Sequence, residues 1–201
     1  NSFKSQFEKL RSSFNVKKLK IHYACKALTN INVLRLFKSW GSSLDTVSLE
    51  EIHLGLKAGF TPDEIMYTPN GVSIKELEMA INLGVKINID NIETLEYFGH
   101  HHKGTPVCIR INPHVMAGGN RKISVGHIDS KFGISVHQVP LIQRITEALE
   151  INVSGIHMHT GSDILDADVF LHAADILFNV AKKFPSISYI DFGSGFKVKY
   201  K

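Results

Sequence analysis

Apolar positions along this chain keep changing period, from short continuous runs to spacings of three and four, and each change marks the boundary of an element. Phe3, Phe7, Leu10 and Phe14 form one stripe of an amphipathic helix over 2–14. Lys20 to Leu28 is a β-branched and aromatic run that reads as a buried strand, with Thr29-Asn30 starting the helix of Val33, Leu34, Leu36, Phe37 and Trp40. Gly41 closes that helix, and Leu44 to Val47 resumes as a strand. Ser48 with Glu51, and later Ser73 with Glu76, have the spacing of capping boxes that open helices ending at Gly59 and Gly84. Between and after those helices, Ile65 to Thr68 and Lys86 to Asp90 read as strands.

Strand centres near His22, Asp45, Met66, Asn88 and Ile109 recur at steps of roughly 22 residues, the length of a compact strand-helix unit. Residues 112–140, with Gly118, Gly119, Gly126 and Gly133, break the rhythm as a long excursion of the kind that carries function. A helix over 141–149, a strand over 153–159, a helix over 167–184 and a strand over 187–192 follow. The pattern predicts an α/β fold of parallel strands, a TIM-type (β/α)8 barrel or a doubly wound sheet, with about seven strands in this chain. The expected organisation is a cover helix over 1–19 and one domain over 20–201.

The composition of 201 residues, 43% hydrophobic and 21% charged, suits a buried core and excludes a disordered or fibrous chain. A net charge of +4 carried by dispersed lysines argues against a nucleic-acid surface. There is no apolar run of membrane-spanning length, and Cys25 and Cys108 both fall inside expected strands, so a soluble, reducing compartment such as the cytoplasm is anticipated.

Lys26 falls at the carboxyl end of the first expected strand, the end at which barrels of this kind do their chemistry, whereas a solvated loop lysine is the plain alternative. His157 and His159 alternate along one expected strand and could ligate a metal, but no third ligand stands at a convincing spacing, and Asp163 and Asp166 suit a helix cap, so no metal site is expected. His100, His101 and His102 suit the negative end of a helix. Gly161-Ser162 and Gly193-Ser194-Gly195 follow the last two strands, where backbone amides can approach a phosphate. With Lys26, Asp45, Arg110 and His159 at the ends of their own strands, the set describes a site for an aromatic aldehyde phosphate, pyridoxal phosphate.

Tyr23-Ala24-Cys25-Lys26-Ala27, Leu44 to Ser48, Arg110-Ile111-Asn112-Pro113, Lys131-Phe132-Gly133-Ile134, His157 to Ser162 and Asp191 to Phe196 follow in order the motifs of a known family. Over nearly the whole chain it resembles the alanine-racemase-like, fold type III decarboxylases that use pyridoxal 5'-phosphate, and most of all those converting meso-2,6-diaminopimelate to L-lysine in bacterial lysine biosynthesis. The resemblance implies that Lys26 carries the cofactor and that His159 stacks on its ring. It further implies Arg110 near the phenolic oxygen, Asp45 in the network beside the lysine, and Ser162 with Gly193, Ser194 and Gly195 on the phosphate. Lys131 is similar to a lysine that supports the family's homodimer, whose site lies at the subunit interface. The family has a third glycine where this chain has Ser194, and more often glutamine where it has Asp163.

The resemblance also implies an eighth strand with a glutamate-proline-glycine-arginine phosphate motif, a glutamate for the pyridine nitrogen, and a carboxyl-terminal β-domain, none of them within these residues. The 201-residue piece is therefore expected to be an incomplete barrel and inactive by itself. Sibling decarboxylation of ornithine, arginine or carboxynorspermidine shares the lysine and histidine motifs, and non-catalytic pyridoxal phosphate carriage for homeostasis shares the fold, though without the excursion over 112–133 in this form. Small-molecule amino-acid substrates are expected, and neither nucleic acid nor membrane.

Overall fold

The structure, a computed structural model, describes residues 2–115, 132–162 and 164–197. Lys131, Asp163 and most of the excursion after the fifth strand lie outside the described residues. The chain divides into two compact units, Asn1–Lys86 and Ile87–Lys201.

In the first unit, helix α1 (Ser2–Ser12) is followed by β1 (His22–Ala24), α2 (Ile31–Ser39), β2 (Ser43–Thr46), α3 (Leu49–Ala58), β3 (Ile65–Tyr67) and α4 (Ile74–Asn82). β1, β2 and β3 pair in parallel, with Ala24 opposite Asp45 and Asp45 opposite Met66. Leu34, Leu44, Ile52, Ile65 and Leu77 are sealed between helices and strands. Local chemistry sets the helix starts: the Asn30 side chain accepts from the backbone N–H groups of Asn32 and Val33, and Ser73 and Glu76 form a reciprocal capping box. Ser48 accepts from the Glu51 N–H, but Glu51 accepts from Val47 N–H (2.8 Å) instead of returning to Ser48, so the expected second capping box is only half made. Of the expected α1 stripe only Phe7 is buried, against Phe37 and Trp40; Phe3 and Leu10 stay exposed, and Phe14 lies past the helix end.

The first expected strand is shorter than its apolar run. β1 stops at Ala24, and Cys25–Ala27 forms a 3-10 turn, so Cys25 is buried in a turn and not in a strand. The turn closes through Leu28 N–H to the Cys25 carbonyl (3.1 Å) and the Tyr23 hydroxyl to the Leu28 carbonyl (3.3 Å), while the Tyr23 ring stacks on Phe37.

β4 (Lys86–Ile89) leads into α5 (Ile92–His101), β5 (Val107–Asn112), β6 (Ile134–Ser135), α6 (Val139–Ala148), β7 (Val153–His157), α7 (Ala167–Ala181) and β8 (Tyr189–Asp191). In the second unit β5 pairs in parallel with β4 and β7, and β7 with β8. The two-residue β6 also pairs with β5, opposite Ile111 and Asn112, as a short addition to the seven expected strands. Phe98, Ile109, Ile142, Ile156 and Leu177 fill the layer between strands and helices. At the end of α5, His101 stacks on Tyr97 and its Nδ1–H donates to the Tyr97 carbonyl (2.8 Å), as expected for a helix terminus. No helix among the described residues is long and apolar enough to cross a membrane.

Gly155 on β7 is a packing necessity. A Cβ there would enter the ring of Tyr189, which lies in ordinary contact only because the position is bare. Gly155→Ala is expected to lower unfolding stability by about 1–3 kcal/mol through overpacking, measurable by denaturant melting.

Candidate active site

In the first unit the candidate residues gather at the carboxyl ends of the strands. Lys26 is exposed on the 3-10 turn that follows β1, its amine free of any core packing. Asp45 stands on β2 opposite Ala24, and its Oδ1 accepts a 2.6 Å hydrogen bond from the Thr68 hydroxyl. Burial, with the charges of Glu51 and Asp45 adding to it, pushes the Cys25 thiol up to about 12, so it stays protonated at neutral pH and does not compete with its neighbour as a nucleophile.

The second unit brings together Arg110, His157, His159, Gly161, Ser162 and the Gly193 to Gly195 turn. Arg110 is nearly buried on β5, with its guanidinium 5.0 Å from the centre of the Phe132 ring. Gly133 lets that segment pass directly over β5: its φ is +82° and a Cβ would lie 3.0 Å from Asn112 N. β7 ends at His157, so His157 and His159 do not share a strand; His157 is 6% exposed within it, and His159 stands in the loop beyond, half-buried. The His159 imidazole lies over Gly193, where a Cβ would come within 3.0 Å of Nδ1.

Two loops close on each other here. Asp191 Oδ1 accepts from Gly193 N–H (2.8 Å), and its carbonyl accepts from Met158 N–H (3.0 Å). Ile164 N–H donates to the Gly195 carbonyl and Lys197 N–H to that of Ile164, each at 3.0 Å. Gly193 and Gly195 have φ of +62° and +115°, and a Cβ on Gly195 would collide with the Gly161 carbonyl oxygen. Ser194 is exposed at the tip. The result is a bare backbone cradle beside an imidazole, the shape that an oxyanion group such as phosphate can approach to hydrogen-bond distance.

Residues 1–201 match the pyridoxal binding domain of the pyridoxal-dependent decarboxylases. The chain belongs to this family. It is 37% identical over 189 residues to the diaminopimelate decarboxylase of Methanothermobacter thermautotrophicus, a match covering 91% of this chain and 44% of that relative. It is 34% identical over 188 residues to the diaminopimelate decarboxylase of Archaeoglobus fulgidus, covering 89% and 45%. Among solved structures it resembles Helicobacter pylori diaminopimelate decarboxylase complexed with L-lysine, with a TM-score of 0.82 at 28% identity over 96% of this chain and 52% of that one. The chain spans about half the length or less of the relatives it matches. The fold of this pyridoxal binding domain is accordingly the α/β barrel portion of that family.

Each unit by itself holds groups of the kind that suit pyridoxal phosphate, an exposed lysine amine in the first and an arginine, an imidazole and a glycine cradle for the phosphate in the second. Thr68, Phe132 and Asp191 belong to these clusters but were not singled out in the sequence. Phe132 and Asp191 do stand inside quoted motifs, and that position was their one available signal.

Next to the cradle, Thr160 is wholly buried and its hydroxyl has no hydrogen-bond partner among the described residues. Thr160→Val keeps the shape and removes an unsatisfied polar atom, and is expected to raise stability by about 1–3 kcal/mol in thermal or denaturant melts.

Proposed function

We propose that this pyridoxal binding domain serves a decarboxylase that converts meso-2,6-diaminopimelate to L-lysine with pyridoxal 5'-phosphate. The observation that carries the cofactor reading is the cradle of Gly193 and Gly195, where an added Cβ would run into the Met158 and Gly161 carbonyls, with the His159 imidazole over Gly193. The substrate reading is supported by relatives named diaminopimelate decarboxylase and by the Helicobacter pylori structure, whose ligand, L-lysine, is the product of that reaction.

When bound, the cofactor supplies an electron sink for the pair released as the substrate's α-carboxylate leaves as carbon dioxide. Lys26 would hold the cofactor covalently, exchange for the substrate amine, and then be free to deliver a proton at the α-carbon. His159 would lie against the ring face and fix its plane, which decides which bond to the α-carbon stands perpendicular to it. The Gly193 to Gly195 turn, through the backbone N–H groups of Ser194 and Gly195, would hold the phosphate with Ser162, and the Ser194 hydroxyl would add one more donor at the tip of the turn. Arg110, steadied on Phe132, would stand by the phenolic oxygen, and Asp45 by the lysine turn. A homodimer with its site at the subunit interface, in the cytoplasm, is part of the same proposal, and the two buried free cysteines accord with a reducing compartment.

The test is to load the whole protein with pyridoxal phosphate and offer meso-diaminopimelate, ornithine, arginine and carboxynorspermidine in parallel. Carbon dioxide released from meso-diaminopimelate in large preference to the others is the expected result. Preference for one of the other three would move the assignment to a sibling decarboxylase, and cofactor uptake without any turnover would make the protein a carrier.

A further inference from the structure

We propose that Thr68 is a positioning residue that sets the orientation of the Asp45 carboxylate at the base of the lysine turn; this deepens, and rests on, the cofactor reading above. Thr68 lies one residue past β3, 8% exposed, and is held from two sides. Its N–H donates to the Thr46 carbonyl (2.7 Å), continuing the β2 to β3 ladder by one rung, and its hydroxyl donates to Asp45 Oδ1 (2.6 Å). A hydroxyl-to-carboxylate bond of that length is the short, charge-assisted kind. Because the Thr68 backbone is tethered to β2, its hydroxyl presents a fixed point, and Asp45 is left little freedom to rotate.

The place of that carboxylate matters. Asp45 is the register partner of Ala24, two residues before Lys26, and its negative charge reaches the buried Cys25 thiol that anchors the 3-10 turn. A carboxylate swung toward β3 presents one oxygen to Thr68 and keeps the other for its remaining neighbours. One swung away would alter the field at the lysine turn without breaking any strand pairing. The route from Thr68 to the lysine turn is its hydroxyl's bond to Asp45.

The holoenzyme carrying Thr68→Val or Thr68→Ser tests this. Valine matches threonine in shape and removes only the hydroxyl, whereas serine keeps it. For Thr68→Val the expectation is about tenfold weaker uptake of pyridoxal phosphate by the apoprotein, as for loss of a hydrogen bond to a charged group. The pH midpoint of the visible band of the lysine-bound cofactor should also be displaced, and kcat should fall with KM for substrate little changed. Thr68→Ser should restore uptake and midpoint to those of the parent. A valine variant with the parent's uptake and midpoint would overturn the proposal, and so would a serine variant that fails like valine while both melt at lower temperature, since that pattern marks a packing role. If the parent itself takes up no pyridoxal phosphate, the functional reading falls first and this inference with it, an outcome distinct from an unaltered valine variant.

Discussion

Lys26→Ala is expected to abolish the visible absorption of the cofactor-loaded protein and to cut turnover by about 10²- to 10⁴-fold, the range associated with loss of a positioned proton-transfer group. The expectation follows from where the side chain stands. Lys26 is exposed on a 3-10 turn whose closure depends on Leu28, Tyr23 and the buried Cys25, not on the lysine itself. The substitution should therefore leave folding stability within about 0.5 kcal/mol of the parent, as for surface changes that remove no cap, core or network contact. The adjacent Cys25 thiol does not take its place, because burial and the carboxylates of Glu51 and Asp45 hold it protonated. Borohydride reduction followed by peptide mapping reads the result directly. An adduct that persists at another lysine in the substituted protein would overturn the assignment.

Gly195→Ala should be the most damaging change in the second unit. Its backbone φ of +115° disfavours any side chain, and its added Cβ would run into the Gly161 carbonyl. Retreat is blocked, because the Gly195 carbonyl accepts from Ile164 N–H and the Ile164 carbonyl from Lys197 N–H, so opening the cradle breaks the bridge between the two loops. Backbone strain of about 1–3 kcal/mol, at about 1.4 kcal/mol per tenfold, predicts cofactor affinity lowered by about 5- to 150-fold. Gly104→Ala is the control, since Gly104 also has positive φ (+79°) but nothing within 4 Å of an added Cβ. Equilibrium titration of the two apoproteins with pyridoxal phosphate separates the cases. Equal losses at both positions would mean that turn strain alone, and not the closed cradle, accounts for the effect.

The alternation of strand and helix, the caps at Asn30 and Ser73, and the nearness of Lys26 to the carboxyl end of a strand were all legible in the sequence, because each depends on neighbours within a few residues. The motif glycines were legible too, as positions where only a bare backbone can follow the turn. What the sequence could not determine is where apolar runs stop being strands. Ile21 to Leu28 keeps its apolar character past Ala24, yet the strand ends there, because a ladder lasts only as long as its partner supplies bonds and β2 pairs with β1 only through Ala24. The same reason separates His157 from His159: alternation puts them on one face of an imagined longer strand, but pairing with β8 runs only to His157, and His159 turns onto Gly193 instead. Thr68 and Asp45 stand 23 residues apart, and Arg110 precedes the excursion while Phe132 lies late within it. Such pairs are chosen by register and by the direction of each side chain once the strands are laid side by side, quantities that local propensity and period do not contain and that tertiary packing alone decides.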